Sequence, residues 1–149
     1  MKHETRIAYR NLEGGVSFIC PSPEFCANPA NTIDMLLRTL PLGVHFEVHC
    51  VEDIPSDRYF RNAWKLDGGI SVDLEQAREI HMINLRVQRD EMLSELDVPF
   101  QRALEDKDTV MQDNIAAKKN ALRDMPRNAD MSSLDTPEKI KAFVPDVLI

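Results

Sequence analysis

DRYFRNAWKLDGG, residues 57–69, is the stretch on which the reading of the fold turns. It holds three of the chain's nine aromatic residues, Tyr59, Phe60 and Trp64, and the last is the only tryptophan. Arg58, Arg61 and Lys65 are threaded between them. Rings interleaved with cations bind single-stranded nucleic acid by stacking, whereas the same rings turned inward pin a fold together. Spacing separates the two. Over a helical turn or two, Phe60, Ala63 and Trp64 share one side at i, i+3 and i+4, and Arg58, Arg61 and Lys65 share the other. That segregation predicts rings in a core and cations in solvent. The stretch is also a boundary, because all five glycines lie at or before Gly69 and charged helical patterns follow.

Residues 1–70 read as a small α+β domain of order β-β-α-β. RIAYR (6–10) and VSFIC (16–20) alternate apolar and polar residues across a glycine-containing connection, the pattern of a hairpin. PSPEFCANPAN (21–31) reads as a loop. Thr32 is expected to cap a helix over IDMLLRTL (33–40), with Ile33, Leu36, Leu37 and Leu40 on one face and Pro41 and Gly43 ending it. VHFEVHCV (44–51) is the clearest strand. Val44, Phe46, Val48 and Cys50 point one way and His45, Glu47 and His49 the other, the polar set being expected toward water.

Residues 71–149 read as a helical hairpin with a short C-terminal helix. Asp73, followed three residues later by Gln76, resembles a capping box for a long helix. That helix is expected to continue or bend at Pro99, because proline removes a donor and crowds the preceding turn; FQRALE (100–105) extends it and DKDT (106–109) closes it. Thr109 is expected to cap VMQDNIAAKKNALRDM (110–125), which ends before Pro126 and folds back as the second arm. TPEKIKAF (136–143), with Thr136 as cap and Pro137 at the first helical position, closes the chain.

At about 100° per residue, Met82, Leu85, Met92, Leu93, Leu96, Phe100 and Leu104 form one stripe on the first arm. It is expected to meet Met111, Ile115, Leu122 and Met125 of the second, with Ala117 and Ala121 permitting close approach. Ile80, Ile83 and Val87 fall on the opposite side and call for a different partner, either the β domain of the same chain or another subunit.

The formal net charge of −7 opposes a nucleic-acid-binding role, which rests on phosphate neutralisation. No apolar run approaches the ~18–20 residues of a membrane span, and the polar N-terminus lacks a secretory core, so synthesis in the cytoplasm is expected. Cys20, Cys26 and Cys50 give an odd count, which favours reduced thiols over a disulfide framework, two of them as core residues. His45, Glu47 and His49 are the sharpest candidates for metal ligation, but no second ligand cluster accompanies them. A polar strand face is the preferred reading. No G-x-S-x-G elbow or phosphate-binding glycine motif occurs, and Gly14–Gly15 and Gly68–Gly69 read as turns. His3 stands in the terminal segment, and His81 is expected as a packed or solvated helix residue. These readings point to a non-enzymatic protein without a cofactor.

Four motifs carry a resemblance. D-R-x-F-R-N-A-W (57–64), A-R-E-I-H (77–81), L-D-V-x-F-x-R-A-L-E (96–105) and A-L-R-D before proline (121–124) recur in order, and T-P-E-K-I-K follows. Over about residues 55–126 the chain resembles a family of small tailed-bacteriophage and prophage proteins encoded among tail genes. The helical part is similar to C-terminal parts of tail and tail-fibre assembly proteins, but Asp97–Val98 replaces the acidic-tryptophan step found there. The resemblance implies a phage component without catalytic residues. Together with the two-faced helix it leads to a virion structural or accessory protein, tail-associated and packed against copies of itself or other phage proteins. An assembly chaperone absent from the particle is one alternative, and a small metal-binding protein using His45, Glu47 and His49 is the other. Phe60, Trp64, Ile80, Ile83, Val87, Arg58 and Arg61 are the residues expected to carry packing and interaction.

Overall fold

A computed structural model describes residues 4–149, so that His3 lies outside the described residues, and its architecture is mixed α+β. The chain forms two compact units, one reaching to Gln76 and the other Ala77–Ile149.

In the first unit, β1 (Thr5–Arg10) and β2 (Val16–Ile19) pair antiparallel with Ile7 opposite Ile19. Asn11 organises their turn. Its Oδ1 accepts from the N–H groups of Glu13 and Gly15 at 3.0 and 2.9 Å, and Gly14 takes a φ of 83° that suits glycine alone. The stretch expected as a loop contains a short helix, α1 (Pro23–Ala27). Ser22 Oγ accepts from the Phe25 N–H and Pro23 sits at the first helical position, a start signal that the surrounding prolines obscure. The next helix, α2 (Ile33–Leu37), is shorter than expected: Thr32 holds the cap position without a side-chain hydrogen bond, and the chain leaves the helix before Pro41. β3 (Phe46–Cys50) then pairs antiparallel with β1, giving the order β2-β1-β3.

A second sheet replaces the helical turns expected over 58–65. A single 3₁₀ turn at Arg61–Ala63 leads into β4 (Trp64–Leu66), which pairs antiparallel with β5 (Ile70–Val72). The predicted segregation survives the change of element. The 3₁₀ turn keeps Phe60 and Ala63 on one side, and strand alternation then buries Trp64 and Leu66 around exposed Lys65. Gly68 and Gly69, with φ of 67° and 135°, close this hairpin. Ala8, Val16, Trp64 and Leu66 form the core between the sheets, with Phe18, Ile54, Ile70 and Val72 packed against them.

The second unit is helical. The long helix α3 (Leu74–Glu95) stops where Pro99 would need the carbonyl of Glu95, four residues back; proline has no N–H to offer and its ring crowds that oxygen. α4 (Asp97–Glu105) starts afresh and packs against α5 (Thr109–Asn128). Asp108, one residue before the expected Thr109, caps α5 by accepting from the Met111 N–H at 2.9 Å. α5 runs on through Pro126, its last turns held by buried Leu122 and Met125. Lys119 ties α5 to α4: its ammonium lies 2.5 Å from Asp97 Oδ1 and 5.1 Å from the centroid of the Phe100 ring. Thr136 and Pro137 start α6 (Pro137–Ala142), with Thr136 Oγ1 accepting from the Lys139 N–H.

Leu85, Ala103, Ile115, Leu122, Met125, Met131 and Ile140 are buried in this unit. α4 begins one residue beyond α3, across Leu96, and the single expected stripe is only partly realised. Leu104 and Met111 are exposed, as are Ala117 and Ala121, and the buried alanines are Ala77 and Ala103 instead. The cysteines also depart from expectation. All three are free, Cys20 and Cys50 exposed and Cys26 half-buried, so none is a core residue; Cys50 projects from β3 on its exposed side. Among the described residues no helix is long and apolar enough to cross a membrane.

Candidate functional site

Alternation along β3 is as the sequence predicts, but the faces are inverted. Phe46 and Val48 stand 41% and 46% exposed, while Glu47 and His49 turn inward. Glu47 is the reason. Its Oε1 accepts from the Gly68 N–H at 2.9 Å and from His45 Nε2 at 3.1 Å, and its Oε2 accepts from His49 Nε2 at 3.1 Å. The carboxylate thus fastens β3 to the turn between β4 and β5, and Arg10 Nη2 adds a second link by donating to the Leu66 carbonyl. Both imidazoles spend a ring nitrogen on Glu47. Among the described residues no group of three or more histidine, cysteine or carboxylate side chains is placed to hold a metal ion.

Burial alone raises the Glu47 pKa. The His45 donor, the backbone N–H groups of Gly68 and Gly69, and the field of His49 outweigh it and hold the carboxyl below its ordinary 4.5. A depressed folded-state pKa contributes stability that is complete above 4.5 and disappears as pH falls through the lower folded value. Glu47→Gln is therefore expected to lower the urea midpoint near pH 6, with the gap to wild type closing as pH approaches about 3. A gap that stays constant with pH would show that the carboxylate charge does not hold the turn.

Phe60 and Trp64 are buried, Trp64 only 2% exposed and edge-on to Phe18 with ring centroids 6.1 Å apart. Arg58 and Arg61 are exposed. Lys65 lies 2.5 Å from Asp73 Oδ2, and that bond is the main reason the Asp73 carboxyl titrates below its usual range. Of the α3 row, Ile80 is half-buried, whereas Ile83 and Val87 are 56% and 52% exposed.

The buried row of α3 is Ala77, His81 and Leu85, spaced four residues apart. His81 Nε2 donates to the Phe143 carbonyl at 2.7 Å, which makes it a packed helix residue. Arg78 beside it donates to the carbonyls of Met131 at 3.0 Å and Leu134 at 2.8 Å. Nothing local in the sequence marks Arg78 for this task, because its acceptors lie more than fifty residues away. An open groove of about 420 Å³ runs between the end of α5 and the C-terminal segment, lined by Met125, Asn128, Phe143, Pro145 and the carboxylates of Asp124 and Asp146.

No protein-family model matches the chain, and no curated protein or solved structure matches it.

Proposed function

We propose that this chain is a non-enzymatic protein that acts by packing against other proteins, as a tail-associated structural or accessory component of a phage virion. In this reading the α+β unit is a head pinned by Phe60 and Trp64, and the helical unit presents α3 and the α4–α5 hairpin to neighbours. The observation that carries it is the exposed pair Ile83 and Val87, on the opposite side of α3 from buried Leu85. The chain's own residues leave both half in water. Burying an aliphatic side chain of this size contributes roughly 1.5–3 kcal/mol, so a partner that covers the pair gains from doing so. The phage assignment is supported by the motifs over residues 55–126.

Mass spectrometry of purified particles from the phage that encodes the chain is expected to find it at a fixed copy number. Presence in lysates and absence from particles would transfer it to the assembly-chaperone class. Replacing Ile83 and Val87 together by glutamate is expected to abolish incorporation or self-association while moving stability by no more than about 0.5 kcal/mol each. Unfolding of that variant would show the row to be core and would remove the main support for the proposal.

A further inference from the structure

We propose that the free edge of β3 is a docking strand, which takes an extended protein segment of alternating apolar and basic residues as a fourth strand of the sheet. The order β2-β1-β3 leaves one side of β3 unpaired. The Arg10 N–H donates to the His45 carbonyl and the Val51 N–H to the Glu4 carbonyl, so residues 45 and 51 direct their backbone groups at β1. Strand periodicity of two gives Glu47 and His49 the same direction and turns those of Phe46 and Val48 to the free edge. The open stretch has defined ends. The Cys50 N–H is already given to Asp53 Oδ2 at 3.0 Å, and the Val44 N–H to the Pro41 carbonyl.

Sheet edges are normally blunted by lysine, proline, a bulge or a covering loop. Here the two residues with open backbone groups are also the two apolar side chains that β3 exposes, and Val51 beside them is exposed as well. The Glu47 clamp prevents relief by a register slip, since a shift of one residue would pull its carboxylate off Gly68.

Charge selects the occupant. Glu4, Glu52 and Asp53 are exposed at the Cys50 end, and among the described residues no cation pairs with any of them. A second copy of the chain is the poorer fit. Antiparallel self-pairing through the open groups sets Phe46 against Val48, which places the two Glu47 residues directly opposite, and like charges so placed destabilise a sheet. A segment with alternating valines and lysines instead lays valines beside Phe46 and Val48 and brings cations to Glu4, Glu52 and Asp53 at the acidic end. This surface belongs to the first unit and the α3 row to the second, so it does not depend on a virion role.

The test uses the full chain at ~0.1 M salt with two capped hexapeptides, one alternating lysine and valine, the other glutamate and valine. The lysine peptide at millimolar concentration is expected to slow amide exchange at Phe46 and Val48 by about tenfold or more, and the glutamate peptide to leave it unchanged. Val48→Pro, which removes an N–H that β1 does not use, is expected to abolish the effect. Phe46→Lys is expected to weaken it with an unchanged urea midpoint, which keeps the test decisive if proline perturbs the strand. Equal action of both peptides, or no protection at these two amides, overturns the proposal. So does protection that rises with protein concentration alone, which would assign the edge to a second copy.

Discussion

Trp64→Ala is expected to destabilise the first unit by about 3–5 kcal/mol, the usual cost of deleting a large core aromatic. Trp64 is among the largest fully buried side chains, and it packs with Ala8, Val16 and Leu66 with its ring perpendicular to that of Phe18. Its neighbours cannot close the gap, because three ties fix the separation they would have to reduce. Arg10 holds the Leu66 carbonyl, Gly68 holds Glu47, and the Asp73 N–H donates to the Ala63 carbonyl at 2.8 Å. Domains of this size are stable by roughly 0.05–0.15 kcal/mol per residue, so the loss takes a large part of the reserve. Hydrogen exchange should show it as lost protection at Ile7 and Ala8 of β1. Trp64→Phe, which keeps an aromatic ring, is expected to recover more than half. Wild-type protection in the alanine variant, combined with failure to bind a partner, would return Trp64 to the class of interaction residues.

Trp64 also shows where local pattern suffices and where it fails. That it faces inward with Phe60 and Ala63 is legible, because the sorting of rings from cations over 58–65 holds for a tight turn and strand as well as for a helix. That it begins a strand is not. The pairing partner Val72 lies beyond a turn of Asp67, Gly68 and Gly69, and three-residue strands are too short to display a period. β3 makes the complementary point. Alternation over 45–50 establishes which side chains share a face, but parity carries no information on which face is inside. Hydrophobicity alone votes for Phe46 and Val48. The outcome is set by Glu47, whose two oxygens find three donors, one of them the Gly68 backbone N–H twenty-one residues later. A half-buried carboxylate bonded to three donors outweighs two exposed apolar side chains on an edge strand, since leaving its donors unmet would cost more than wetting a valine.

The helices divide along the same line. Thr136–Pro137 starts a helix by contacts within one turn, and the sequence displays it. Asp108 displaces Thr109 as the cap of α5 because Lys107 adopts a φ of 55°, a backbone choice no residue type there advertises. The opposition of Ile83 and Val87 to Leu85 is likewise geometric and legible. Whether their side meets protein or water depends on the break at Leu96 and on where α4, α5 and the C-terminal segment come to rest.

Arg78→Ala is expected to destabilise the second unit by about 2–4 kcal/mol. The guanidinium donates through Nε to the Met131 carbonyl and through Nη2 to that of Leu134, with Ser132 at 3.5 Å as a weaker third acceptor. These carbonyls belong to the link between α5 and α6, which has no helix or sheet ladder to satisfy them. Alanine removes charge-assisted bonds and leaves the Leu134 carbonyl to find water, while the Met131 carbonyl keeps the Leu134 N–H at 3.1 Å. Lysine offers a point charge in place of a planar fork and is expected to recover less than half of the loss. His81, three residues on and on the same side of α3, holds the Phe143 carbonyl, so α3 grips the C-terminal segment at both ends of α6. The two grips hold one element, and the double alanine variant is expected to cost less than the sum of the singles. Urea midpoints by far-ultraviolet circular dichroism give the magnitude, and trypsin cleavage after Lys139 and Lys141 reports release of α6. Should Arg78→Ala leave both unchanged, burial of Met131 and Ile140 would suffice to dock α6, and the arginine would be an accessory to that packing.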